Sequence, residues 1–275
     1  MKTTQILKTG LIAFTALGLT LTSCKKEKDE STSAAENYST SENANNDLDA
    51  IADQAETPGI GGKSLKVDDL GGILSDSVVI TKTQSNDTTK YSLNFGTGYL
   101  CKDGKTRKGK VYLIRKGEPF ITGTVRTITT ENYYVNGNKV EGTRTATLLQ
   151  TLPSAPTWRI VGDITVTLTN GEVVSGSTDR TRVFSAGYLT LPDFSDDEFT
   201  YTGTASKTTA SGEEIDAKIT TALVYKVSCH EFVSGVLEIT PSGKETRVID
   251  FGSGTCDETV TVSVGKYSKT YTSKK

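Results

Sequence analysis

Apolar and polar residues alternate with a period of two over short runs, and turn dipeptides cut these runs at close intervals. This pattern restricts most of the chain to antiparallel β-structure. In "DITVTLT", Ile164, Val166 and Leu168 fall on one face and Thr165, Thr167 and Thr169 on the other. "ETVTVSV" repeats the arrangement with Val260, Val262 and Val264. Asn136-Gly137, Asn170-Gly171, Ser211-Gly212 and Ser242-Gly243 each separate two such runs, as hairpin turns do. From about residue 75 onward the spacing predicts roughly a dozen antiparallel strands joined mostly as hairpins. The expected fold class is all-β, a hairpin-rich sandwich or curved sheet, with an up-and-down barrel as the alternative.

The N-terminal region reads differently. Lys2 and Lys8 precede an apolar run from Leu11 to Leu21, too short to span a bilayer, which needs about 20 apolar residues, but of signal-peptide proportions. Leu21-Thr22-Ser23-Cys24 resembles the bacterial lipobox, which implies cleavage before Cys24 and acylation of that cysteine, with palmitate-like chains as the anchor. Lys25, Lys26, Glu27, Lys28, Asp29 and Glu30 follow, a run that resembles the export signal of Bacteroidota surface lipoproteins. The expected division is a signal peptide over 1–23, a lipidated cysteine with a flexible tether over 24–67, and an antiparallel β domain over 68–275. Within the tether, "NNDLDAIADQAE" places Leu48, Ile51, Ala52 and Ala55 at helical spacing, which predicts a short amphipathic helix that docks or frays.

Removal of residues 1–23 would take two of the 31 basic residues and none of the 33 acidic ones, moving the formal charge from −2 to −4. A mildly acidic chain argues against a general nucleic-acid binder. Of the four cysteines, Cys24 is assigned to lipidation. With Ser242-Gly243 at the centre of its hairpin, Cys229 faces Cys256, which predicts a disulfide, and Cys101 is left as a buried thiol. "YSLNFGTGYLC" and "RVIDFGSGTC" share Phe-Gly-x-Gly followed by Cys and suggest pseudo-repeats at the two ends of the domain.

No motif carries a catalytic reading. "GYLCKDGKT" has five residues between its glycines where a P-loop has four, and a strand-like run follows where a helix must begin. The same segment is basic, and Lys102, Lys105, Arg107, Lys108 and Lys110 form a candidate anion site, weighed against solvated turn and edge-strand residues. Tyr133, Tyr134 and Trp158 form a candidate ligand platform, Trp158 in a loop after Pro156, weighed against ordinary cross-strand packing. Asp193, Asp196, Asp197 and Glu198 read as a solvated acidic loop whose spacing fits no EF-hand. His230 is the sole histidine, so no metal site built on several histidines is expected. No cofactor is expected.

With its lipobox, charged spacer, Phe-Gly-x-Gly segments and "GTCD", the chain resembles small outer-membrane lipoproteins of Bacteroidota. The resemblance implies location and architecture and no activity. The expected function is a non-enzymatic, lipid-anchored binding or structural protein of the outer membrane, on the cell surface or on the periplasmic face, with a glycan, an envelope component or a protein as partner. A polysaccharide hydrolase, or an accessory subunit of an uptake or secretion assembly, is the alternative. A cleft holding two close carboxylates would favour the hydrolase.

Overall fold

The computed structural model describes residues 32–56, 72–191 and 193–272. Cys24, the expected signal peptide and the charged run lie outside them. Among the described residues one helix, α1 (Ser33–Glu56), precedes fourteen strands. They are β1 (Val79–Ser85), β2 (Thr88–Asn94), β3 (Tyr99–Leu100), β4 (Thr106–Lys116), β5 (Val125–Val135), β6 (Asn138–Gln150) and β7 (Thr157–Thr167), then β8 (Val173–Ala186), β9 (Glu198–Thr209), β10 (Glu214–Lys226), β11 (Glu231–Pro241), β12 (Arg247–Ser253), β13 (Thr259–Val264) and β14 (Tyr267–Thr272). All fourteen belong to one antiparallel sheet, in which neighbours in sequence are neighbours in space, except that β2 pairs with β4 and the short β3 hangs on β4. The sheet is curved and runs open from β1 to β14. It is neither a two-sheet sandwich nor a closed barrel.

The expected turn at Asn136-Gly137 holds its register. Asn136 and Gly137 both have positive φ, +49° and +81°, and join β5 to β6 through the pair Val135–Asn138, as a two-residue hairpin requires. Curvature comes from kinked strands. Gly176 in β8 has φ +149°, and a Cβ there would lie 2.2 Å from the Ser206 carbonyl oxygen of β9. Gly109 in β4 (φ +85°) sits at a register shift opposite β5, where a Cβ would meet the Asn132 carbonyl at 1.9 Å. Only glycine lets the backbones approach this closely, and such kinks and bulges bend a sheet.

The sheet curves around α1. Within the segment read as a tether with a short helix, the helix docks and is longer than expected: 24 residues over 33–56, with fifteen side chains buried. Burial is not confined to one stripe: Tyr38, Ser39, Glu42, Asn45, Asp47, Leu48, Asp49 and Ile51 are all covered. Helix α1 touches β5, β6, β7, β8 and β12, and Glu36 near its start pairs with Lys269 of β14. Two apolar clusters fill the concave side. One joins Leu48, Ile51 and Ala55 to Leu93, Phe95, Val111 and Leu113, and the other joins Ala35 and Tyr38 to strands β6 to β13. Phe95 and Phe251, the phenylalanines of the two Phe-Gly-x-Gly segments, are buried in different clusters.

Cys229 and Cys256 are joined, with Cα atoms 5.4 Å apart, and Cys101 is a buried free thiol. The register argument for the bond is corrected in detail. The β11–β12 ladder pairs Ile239 with Arg247 and Val236 with Asp250, one residue away from the expected register, and shifts again before Ser234. Cys229 lies in the turn before β11 and Cys256 in the loop after β12, so the bond ties two loops rather than an opposed strand pair.

Candidate functional site

The concave face carries arginines where a β-domain usually presents aliphatic side chains. Arg107, Arg126, Arg144, Arg180 and Arg182 are each at most 5 % exposed. Each meets a carboxylate of α1. Arg107 binds Asp47 through Nε at 3.0 Å and also through Nη2, and Asp103 Oδ1 accepts from its Nη1 at 2.8 Å. Lys105 Nζ at 3.2 Å and the Tyr133 hydroxyl at 2.6 Å donate to the same Asp47. Arg144 makes a two-bond fork with Asp49 at 3.0 and 2.7 Å, and Arg180 reaches Glu42 at 3.1 Å. Burial pushes the Asp47 carboxyl up, but the Arg107 guanidinium and Lys105 ammonium more than reverse this and hold it well below the usual carboxylate range.

The last turn of α1 ends at a cavity of about 270 Å³, where roughly 10–15 Å³ admits one water. Its polar wall is Asp53, Glu56, Arg115 and Arg126. Arg126 Nη1 donates to Asp53 at 2.7 Å and to Glu56 at 3.2 Å, and Arg115 Nη1 donates to Glu56 at 3.3 Å. Arg182 binds Asp53 beneath them and lies 3.6 Å from the centroid of the Phe199 ring. The apolar wall is Leu148, Trp158, Phe184, Phe194 and Phe199, with Phe120 and Leu191 contributed by loops. The β4–β5, β6–β7 and β8–β9 connections converge at this end of the sheet, because alternate hairpins of a meander share an end. They are tied together where Thr151 Oγ1 donates to the Phe120 carbonyl at 2.6 Å and Gly123 N donates to that of Leu148 at 2.8 Å. The same connections expose Ile121, Leu152 and Leu189, the last 77 % exposed, and Leu149 is exposed near the end of β6.

Asp197 also lines the cavity and is buried, which corrects the reading of its loop as wholly solvated. Asp193 is half-buried and Asp196 exposed, Asp193 accepting from Ser195 N and Asp196 from Thr190 Oγ1. Burial first, then the charges of Asp53 and Asp196, push the Asp197 carboxyl up to about 8, against the pull of Arg182. An aspartate in the unfolded chain titrates near 4, so between about pH 4 and 8 the folded state holds a proton the unfolded state has lost. This contribution to stability is complete below about pH 4 and is lost as pH rises through 8. Asp197→Asn should therefore leave thermal stability nearly unchanged at pH 4 and raise it at pH 9, by about 2 kcal/mol or more, the scale of an unpaired buried polar group. Melting curves at the two pH values check this; equal effects at both would contradict it.

The other expected sites are dispersed or used internally. Of the basic segment, Arg107 and Lys105 point inward to Asp47, Lys102 pairs with Asp76, Lys110 with Glu131, and Lys108 lies over the Tyr134 ring. Alternation along β4 turns Arg107 inward and Lys108 and Lys110 outward, so the five do not share one surface. Tyr133 is buried under Asp47, and Trp158 is on β7 rather than in a loop, so the three aromatics make no shared platform. Trp158 alone reaches the cavity. His230 occupies the β10–β11 turn with φ +58°, its backbone N–H bonded to Lys226 and Val227 carbonyls. Among the described residues no group of histidine, cysteine, aspartate or glutamate side chains is arranged to hold a metal.

The arginine partners went unread in the sequence, although a signal existed. Glu42, Asp49, Asp53 and Glu56 are spaced i, i+7, i+11 and i+14, one face of a helix. Arg180 and Arg182 share the inward phase of β8 with Phe184. An acidic helical face and basic residues in the apolar phase of strands together announce a buried ionic interface. The chain matches no protein-family model, no curated protein and no solved structure.

Proposed function

We propose that this protein is a lipid-anchored, non-enzymatic binding protein of the bacterial outer membrane, and that the cavity at the end of α1 receives its ligand. The observation that carries the reading is one preformed pocket with an aromatic wall and a few convergent charged groups, the usual make-up of a small-molecule site. The lipobox resemblance at Leu21–Cys24 supports the anchor. The start of α1 lies near β14 and the β7–β8 turn, through Glu36–Lys269 and Asn37–Asn170, and its end lies at the cavity. A 24-residue helix is about 36 Å long, whereas the eight residues from Cys24 to Thr32 span at most about 29 Å. An anchor at Cys24 would therefore attach at the end of α1 opposite the cavity.

Carboxyl groups in the cavity favour a second reading, a hydrolase in which Asp197, with its raised pKa, protonates a leaving group. Against this, Asp53 and Glu56 are both engaged by guanidiniums, which leaves neither positioned as the free base or nucleophile that hydrolysis requires. Polysaccharide cleavage abolished by Asp197→Asn would decide for the hydrolase.

The anchor is tested by fractionation and by protease treatment of intact cells. The wild-type chain should pellet with membranes and Cys24→Ala should be released. Cleavage on intact cells would place the domain on the surface, and cleavage only after lysis would place it inside the envelope. A Cys24→Ala protein that still pellets through detergent-sensitive association would remove the anchor reading.

A further inference from the structure

The cavity is selective in what it offers. Its walls are apolar except for the guanidiniums and carboxylates, and its one hydroxyl-bearing residue, Thr124, already donates to the Glu118 carbonyl at 2.7 Å. A sugar, with hydroxyls on every side, would leave most of them unpaired against Leu148, Trp158, Phe184 and Phe199. The charge count is also uneven. Arg115, Arg126 and, behind the wall, Arg182 face Asp53 and Glu56, so three guanidiniums share two carboxylates, while burial pushes the third carboxyl, Asp197, up to about 8.

Arg126 locates that excess. Its Nη1 serves both Asp53 and Glu56, while Nε and Nη2 are buried and make no hydrogen bond. These two N–H groups form the side edge of the guanidinium, which matches the two oxygens of a carboxylate in a parallel two-bond fork. Both are closed off from solvent, so a ligand's head group meets them after a rotation of the Arg126 side chain. Phe120 and Leu191, both exposed and both on connecting loops, carry the apolar wall out to the surface, as the path of a hydrocarbon tail requires.

We propose that the cavity binds an ionised carboxylic acid with a saturated hydrocarbon body, its carboxylate on the side edge of Arg126 and its chain along Trp158, Phe184 and Phe199 toward the rim. The proposal rests on the reading of this cavity as a ligand site.

Trp158 is the chain's sole tryptophan and lines the cavity, so its fluorescence reports occupancy directly. The purified protein is titrated at pH 7 with octanoate, octanol and octylammonium, which share a chain and differ in head-group charge. Octanoate should give a saturable change at concentrations about tenfold or more below the other two, the worth of one charge-assisted fork. Arg126→Gln should remove that preference, bringing octanoate to the level of octanol. Phe120→Gly, at a loop position with φ +57° that glycine adopts without strain, should weaken all three ligands alike and keep the preference. If Arg126→Gln fails to fold, the wild-type ratio and the Phe120→Gly series decide. Equal binding of octanoate and octanol by the wild type, or a preference unchanged in Arg126→Gln, overturns the carboxylate assignment and leaves the binding cavity standing. No saturable response to any of the three would overturn the ligand-site reading itself.

Discussion

Replacing Asp47 by alanine should cost about 3–5 kcal/mol of stability, the usual penalty for removing one partner of a buried ion pair. For a chain of this size that lowers the melting temperature by roughly 10 °C. The cause is what remains behind. Arg107 is fully buried and would keep only Asp103, while Lys105 and the Tyr133 hydroxyl would lose their acceptor. Asp47→Asn keeps the shape and one acceptor, so its loss should fall between wild type and alanine. The pH dependence has a definite sign. The folded-state carboxyl of Asp47 is depressed, so its contribution is present above the unfolded value near 4 and is lost as pH falls below it. The gap between wild type and Asp47→Asn should accordingly narrow below pH 4. Chemical denaturation at pH 7 and pH 3 measures both effects, and an alanine variant as stable as wild type would mean that the Asp47–Arg107 pair does not hold the helix.

Gly109→Ala should be nearly as damaging, at about 3–4 kcal/mol. Two effects act together. A left-handed φ costs an L-residue roughly 1–2 kcal/mol, and the new methyl would meet the Asn132 carbonyl oxygen at 1.9 Å and its carbon at 2.4 Å. Backbone cannot rotate away as a side chain can, so β4 and β5 must separate at the bulge that bends them. Arg107, two residues away, would be displaced from Asp47 and Asp103. By contrast, Gly104→Ala in the β3–β4 turn meets nothing within 4 Å and carries only the φ cost, which makes it the control. Equal destabilisation by the two would show that conformational preference, not close approach, sets the cost at Gly109.

The strands were legible because their information is local. Ile164, Val166 and Leu168 alternate with threonines, and Asn136-Gly137 names its own turn, so both strand and hairpin follow from residues a few positions apart. The helix was half legible. Leu48, Ile51, Ala52 and Ala55 predicted its second half, but Ser33 to Asn46 offer no apolar stripe, and their burial depends on strands more than fifty residues distant. The disulfide was legible as a pairing and not as a geometry, since a bulge between Ser234 and Val236 and a turn at Cys229 shift the register that carried the argument.

The candidate site was almost wholly illegible. Trp158 was singled out for the wrong reason, as a loop residue, and Asp197 was read as solvated. Arg107 reads in the sequence as part of a basic surface, whereas it shares the inward phase of β4 with Val111 and Leu113 and meets Asp47 of α1 there.

By itself, then, the sequence determined the β-class, the hairpin order, the cysteine pairing and the N-terminal signature that motivates an anchor. Each of these is written in residue type and short spacing. Only the tertiary structure decided that one sheet curves around a polar helix, that its arginines neutralise that helix's carboxylates, and that Arg115, Arg126, Trp158, Phe184 and Asp197 meet in one cavity. The physical reason is that a strand's alternation states which residues share a face but not what that face encloses. Enclosure is set by the curvature of the whole sheet, and whether a charge becomes surface, ion pair or ligand site is set by enclosure.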